Sequence, residues 1–195
     1  MSQKKESILR TVLTMMSASE GKKAITISNI AKEMDMGKST LYEYFDSKED
    51  MIKQAMFLMI QENENYIIEN NLPEEKGFKN AFLNHMRRSI EIAKRNQMTD
   101  DIMNHVEWIK VSRQYKDEIM ERILEFYHKS KNHMEIIIKQ GIIENKLNPK
   151  KIENQKEVIE SLIVGAIITF ANPLNRYNVH EDLEKIFDTL VDLCH

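Results

Sequence analysis

TISNIAKEMDMGKSTLYEYFDSKEDM, residues 26–51, places two short apolar-periodic runs on either side of a tight break. Ile27, Ile30, Ala31 and Met34 follow the i, i+3, i+4, i+7 spacing of an amphipathic helix, and Thr26 before them is a good N-cap. Asp35-Met36-Gly37 interrupts the pattern, and a second helix is expected over Lys38 to Phe45. At about 100° per residue, Leu41 and Phe45 share one side of it. Together with Met36 they would pack on Ile30, Ala31 and a preceding helix. Ser39, Thr40 and Glu43 then face the opposite way, Tyr42 and Tyr44 flank them, and Lys38 lies beside the N-terminus. Downstream, Asp46 with Glu49, or Ser47 with Asp50, supplies a capping-box-like start for a longer helix.

Two helices joined by a three-residue turn match the helix-turn-helix, whose second helix enters the major groove of double-stranded DNA. Short hydroxyls at Ser39 and Thr40 let a helix come close to base edges, and Glu43 could accept from a cytosine amino group. The two tyrosines could reach the backbones lining the groove, with Lys38 and Lys48 adding positive charge. Thr26 stands where a helix N-terminus favours a phosphate. Each residue alone has a plainer explanation. Thr26 is a cap whether or not it meets DNA, and a lone exposed tyrosine or lysine is usually only surface. The combination at this spacing points to DNA.

The 195 residues carry 28 Lys+Arg against 31 Asp+Glu, a net charge of −3 that on its face argues against a polyanionic partner. Residues 1–55 hold nine basic and eight acidic side chains, net +1, and the remainder is net −4. Contact with nucleic acid must therefore depend on where a few lysines sit. With 5 Gly and 3 Pro among candidate helices rich in Ile, Met, Leu, Lys and Glu, an all-α fold is expected. A single cysteine, Cys194, excludes a disulfide framework. The N-terminus lacks the apolar core of a secretory signal, and the apolar run Leu162 to Ala171 falls short of the roughly 20 residues of a membrane span. A cytoplasmic protein without membrane contact is expected.

Along the chain, Ser7 to Met16 reads as a first helix stopped near Gly21, and a long helix should run from the Asp46–Glu49 start toward Asn70, closed by Pro73. Five more helices are expected, near Glu75–Arg95, Asp100–Ser112, Lys116–Asn145, Lys151–Ala171 and His180–Cys194, about nine in all.

Residues 5–55 resemble, without gaps, the N-terminal domain of tetracycline-repressor-like (TetR family) regulators. The residues that carry the resemblance are Gly21, Thr26-Ile27, Ile30-Ala31, Asp35-Met36-Gly37, Ser39-Thr40-Leu41-Tyr42, Tyr44-Phe45 and Ser47-Lys48-Glu49, ending at Met51. The resemblance implies a helix-turn-helix domain over 1–50 and a helical ligand-binding and dimerisation domain over 51–195. It implies DNA contacts from Thr26, Lys38, Ser39, Thr40, Tyr42, Tyr44 and Lys48, with Gly37 at the recognition-helix start. It also implies a homodimer on a palindromic operator, repressing until a small effector binds. Two positions depart from the family's pattern. Asp35 occupies the usual turn glycine, a position where Asp tolerates left-handed geometry. Gly37 replaces the usual Ser or Thr and has no hydroxyl to offer a phosphate.

In the C-terminal part, Leu162 to Ala171 is apolar on nearly every face and must be covered on more than one side. Gly165 and Thr169, four apart, would allow a neighbouring helix to approach closely, and Leu183, Ile186, Phe187, Leu190 and Cys194 form a stripe on the last helix. A four-helix dimer interface through Leu162, Gly165, Thr169, Leu183, Phe187 and Leu190 is expected; an internal core in a monomer is the alternative. Material for a pocket lies between Phe78 and Met134: Phe82, His85, Met86, Met103, Glu107, Trp108, Tyr127 and Met134. Methionine suits adaptable cavities but is also ordinary core filler, and a small, largely apolar effector is expected there. Asp101 with His105 and His128 with His133 are not recognised ligand sets, so no metal is expected. No phosphate loop, nucleophile elbow or paired-carboxylate arrangement occurs, which leaves no argument for an enzyme or a cofactor. A DNA-bound protein of the same fold that recruits a protein partner without a small ligand is the competing reading.

Overall fold

The computed structural model describes residues 2–17, 25–69, 71–98, 106–172 and 178–195, and among these there is no strand. The helices are α1 (Gln3–Ser17), α2 (Ile27–Glu33), α3 (Lys38–Tyr42), α4 (Lys48–Ile68), α5 (Pro73–Lys76), α6 (Phe78–Met98), α7 (Val106–Gln114), α8 (Lys116–Ile143), α9 (Pro149–Asn154), α10 (Lys156–Ala171) and α11 (Val179–Cys194). The all-α expectation is met. Among the described residues, no helix is long and apolar enough to cross a membrane. The expected stop at Gly21 and the residues Asp101, Met103 and His105 lie outside the described residues.

Three breaks differ from the sequence expectation. Pro73 does not close a helix but opens α5 at its first turn, where its missing N–H leaves no bond unmade. Gly77, at φ 77, ends that turn, so the next helix begins at Phe78 rather than Glu75. Gln155, at φ −113 and ψ 14, divides the segment expected as one helix over 151–171 into α9 and α10. Asn148 caps α9 by accepting from the backbone N–H groups of Lys150 and Lys151 at 3.0 and 3.4 Å.

The chain packs as two compact units, one drawn from residues 1–62 and 98–126, the other from 63–97 and 127–195. In the first, Ile8, Leu9, Val12 and Met16 form the inner face of α1 and meet Ile30, Ala31, Leu41, Phe45, Met51, Ile52, Ala55 and Met56. Burying one such side chain contributes about 1.5–3 kcal/mol. The second unit is built on an aromatic cluster, with ring centroids of Phe78 and Phe187 5.0 Å apart and those of Phe82 and Phe187 5.6 Å apart. Met86, Ile90, Ile137, Leu183 and Leu190 close around it.

α8 ends in a Schellman turn: Lys146 N–H donates to Gly141 O at 2.9 Å and Asn145 N–H to Ile142 O at 3.0 Å, with Asn145 at φ 56. Leu147 folds back over Gly141, where a Cβ would lie 2.7 Å from Leu147 Cδ1 and 3.0 Å from Phe78 Cδ1. Gly141→Ala therefore sets a helix-propensity gain of about 1 kcal/mol against an overpacking cost of about 1–3 kcal/mol. The overpacking wins because a ring stands on one side, and urea unfolding of the variant should show a net loss of stability.

Candidate nucleic-acid interface

Thr26 has extended backbone and accepts from the Asn29 N–H at 3.1 Å, capping α2 as expected. At the far end, Met36 N–H donates to Ala31 O at 2.9 Å and Asp35 N–H to Lys32 O at 3.2 Å. This is a second Schellman turn, with Asp35 at φ 48 in the position that usually falls to glycine. The turn survives without glycine, and it carries Met36 onto the core of the first unit.

α3 is regular only over Lys38–Tyr42, shorter than the expected Lys38–Phe45. Its hydrogen bonds nevertheless continue: Glu43 N–H donates to Ser39 O at 3.2 Å, Tyr44 N–H to Leu41 O at 3.1 Å and Phe45 N–H to Leu41 O at 3.2 Å. The last turn tightens as Phe45 is drawn under the helix. Leu41 is fully buried and Phe45 nearly so, at 0% and 3% exposed. Lys38, Ser39 and Glu43 are exposed, and Tyr42 is 55% exposed. Thr40, Tyr44 and Lys48 are half-buried, so Thr40 lies at the edge of the outward face rather than at its centre.

Gly37 begins α3 at φ −71 without a side-chain cap. A Cβ there would lie 3.5 Å from Ser39 Oγ and 3.7 Å from Thr40 Oγ1, ordinary contacts that leave room for a side chain. The two hydroxyls are thus turned back toward the start of the helix. Of the two alternative caps for α4, Ser47 with Asp50 forms: the Asp50 N–H donates to Ser47 Oγ at 3.0 Å. Asp50 Oδ2 in turn accepts from Gln54 Nε2 at 2.8 Å.

Two cations of the first unit are tied to its own carboxylates. Arg10 meets Glu62 at 2.7 Å and Glu6 at 2.9 Å, and Lys53 meets Glu118 at 3.0 Å. Glu6 foremost raises the Arg10 pKa. Lys48 lies 3.7 Å from Glu49. Lys5 was not singled out in the sequence. Its ammonium sits 5.1 Å from the centroid of the Phe45 ring and so adds positive charge beside the residue that anchors α3. Its place four residues before Leu9 on α1 was the available signal.

The expected pocket residues differ in burial. Phe82 and Met86 are fully buried and Met134 nearly so, all within the core of the second unit. His85 is buried too, with Nδ1 2.9 Å from His133 Nδ1. Tyr127 is 51% exposed. Met103 and the side chains of Glu107 and Trp108 lie outside the described residues. Of the expected interface residues, Leu183, Phe187 and Leu190 are buried in the core of their own unit. On α10 the exposed residues include Val164, Gly165, Ile168 and Thr169, with Leu162 half-buried. Among the described residues, no group of three or more His, Cys, Asp or Glu is placed to hold a metal ion.

Residues 14–55 match the family model of the bacterial regulatory proteins, tetR family. The first 62 residues thus include a TetR-family helix-turn-helix. No curated protein matches the sequence. Among solved structures, a protein of Vibrio parahaemolyticus assigned to the TetR family of transcriptional regulators superposes with a TM-score of 0.62 at 16% identity, covering 98% of both chains. One from Shewanella sp. PV-4, assigned to the same family, gives 0.52 at 20% identity over 99% of this chain and 98% of that one. The TetR-family regulator PfmR of Thermus thermophilus gives 0.52 at 14% identity over 94% and 96%. The whole chain thus shares the fold of these TetR-family proteins.

Left-handed geometry at residue 35 is tolerable for Asp but not for a β-branched side chain. Asp35→Val should lower stability by about 1–2 kcal/mol, whereas Asp35→Gly should hold or slightly raise it; thermal unfolding of the two variants checks the pair.

Proposed function

We propose that this protein is a sequence-specific, DNA-binding transcriptional regulator that acts as a homodimer on a palindromic operator. The observation that supports it best is the α2–α3 arrangement, in which Lys38, Ser39, Tyr42 and Glu43 are exposed above the buried Leu41 and Phe45. In this reading Ser39 and Thr40 approach base edges, Tyr42, Tyr44 and Lys48 meet phosphates, and Thr26 and Gly37 allow the backbone to come close. Repression would end when a small, largely apolar effector reshapes the C-terminal unit, so that the two recognition helices no longer fit both half-sites.

Ser39→Ala combined with Tyr42→Ala tests the DNA surface. Both side chains are exposed, so the melting temperature should stay unchanged. Affinity for DNA flanking the protein's own gene, read by mobility shift at fixed salt, should fall at least tenfold, about 1.4 kcal/mol. Unchanged affinity would remove this surface from the reading.

Gly165 tests the dimer. Within one chain, nothing lies within 4 Å of a Cβ placed there. Gly165→Leu should leave the protomer folded, while sedimentation should show association weakened tenfold or more if two α10 helices meet at this position. Dimerisation at wild-type strength would take α10 out of the interface.

A second reading has its own observation. Phe82, Met86 and Met134 are packed as core, which favours a C-terminal unit that recruits a protein partner and takes no small ligand. Release of DNA by an apolar compound in the same assay belongs to the first reading; a complex that no such compound dissociates belongs to the second.

A further inference from the structure

Within the second unit, four polar residues form a hydrogen-bonded chain. His133 Nε2 lies 3.1 Å from the backbone oxygen of Asn71, His133 Nδ1 lies 2.9 Å from His85 Nδ1, and His85 Nε2 lies 3.4 Å from Ser130 Oγ. Asn71 continues it by donating from Nδ2 to Ala81 O at 3.0 Å. Asn71, His85 and His133 are 0%, 3% and 6% exposed.

The partners decide the tautomers. A backbone carbonyl only accepts, so His133 carries its proton on Nε2 and its Nδ1 is bare. His85 must then carry its proton on Nδ1, donating to His133, and its bare Nε2 accepts from the Ser130 hydroxyl. Both rings are neutral in this arrangement, and every ring nitrogen is used.

We propose that the His85–His133 pair is a proton-operated latch: neutral, it fastens the Asn71 turn ahead of α5 to α6 and α8, and protonation releases it. The geometry allows one added proton in place, on His85 Nε2, if the Ser130 hydroxyl turns to accept. A second proton would have to enter on His133 Nδ1 and would set two N–H groups against each other across 2.9 Å. The single charge is itself poorly accommodated. Arg88 on α6 opposes it at both rings; Glu74 on α5 favours it, but only at His133. Burial above all, then His133 and Arg88, hold the His85 pKa at about 3. Burial is also the main cause that lowers His133, which the Asn71 carbonyl partly offsets.

The sign follows from linkage. Both histidines bind protons less readily when closed than when open, so the latch is fully effective above the open-state pKa of about 6.5. Below that, each histidine shifts the equilibrium toward the open form by up to tenfold per pH unit, until pH approaches its closed-state pKa. The latch does not rest on the DNA-binding reading and stands or falls separately from it.

Imidazole ¹⁵N–¹H spectra of the full-length protein between pH 8 and 5 test it. The expected result is His85 protonated at Nδ1 and His133 at Nε2, with neither ring titrating near 6.5 while the fold persists. Amide exchange at residues 71–76, corrected for intrinsic rate, should rise at least tenfold between pH 7 and 5.5. An ordinary titration of either ring near 6.5 in the folded protein would overturn the proposal. A second readout is the pH-dependence of stability in His85→Gln/His133→Gln. The double variant should lose up to two protons from the uptake on unfolding near pH 5.5; if it fails to fold, the wild-type spectra still decide. A wild-type pH slope retained in a folded double variant would also overturn it.

Discussion

Burial of Leu41 and Phe45 is the constraint on which the interface depends. A helix as short as α3 cannot hold itself together in water, because nucleating a turn costs more than a handful of hydrogen bonds return. Its conformation is set by the two side chains on its inner face and by Met36, which the Asp35 turn delivers to the same core. The outward residues carry almost none of that burden. Ser39, Tyr42 and Glu43 can therefore vary with the surface they meet, while Leu41 and Phe45 cannot vary without releasing the helix.

The recognition segment was legible in sequence because its determinants are local: a 3.6-residue period, an N-cap at Thr26 and a turn residue that accepts positive φ. The three displaced breaks are also local, but their signals are ambiguous. Pro73 reads equally as the end of one helix or the first residue of another, and only its downstream hydrogen bonds distinguish the two. Gln155 has no breaker chemistry, so the division between α9 and α10 had no signal in the residue itself. The stripe at Leu183, Phe187 and Leu190 shows a different limit. Periodicity reveals that a face is covered but not by what, and it could not show that Phe187 meets Phe78 and Phe82 of the same unit. The His85–His133 bond joins residues 48 apart in sequence, and no local pattern encodes it.

Charge had to be read from placement as well. A net +1 over residues 1–55 is weak for a DNA-binding unit. The structure weakens it further by tying Arg10 to Glu6 and Glu62, and Lys53 to Glu118. Among the described residues, Lys38 at the start of α3 remains exposed. With so small a net positive charge, affinity from counterion release in one copy would be modest. Two copies on two half-sites would double the phosphate contacts, which gives the dimer in the proposed function an electrostatic reason as well as a symmetry one.

The interior of the second unit departs from the pattern of a core selected for packing alone. Two buried imidazoles must be desolvated, and they recover stability only while the full hydrogen-bond chain is made. An apolar pair of similar volume would fill the same space with no dependence on protonation, and buried polar groups replaced in this way often leave stability unchanged or improved. What the histidines add is direction: the Asn71 carbonyl dictates one tautomer, that tautomer dictates the next, and the chain of donors ends at Ser130. A core of leucine and phenylalanine responds to little short of unfolding, whereas this one is conditional on a proton.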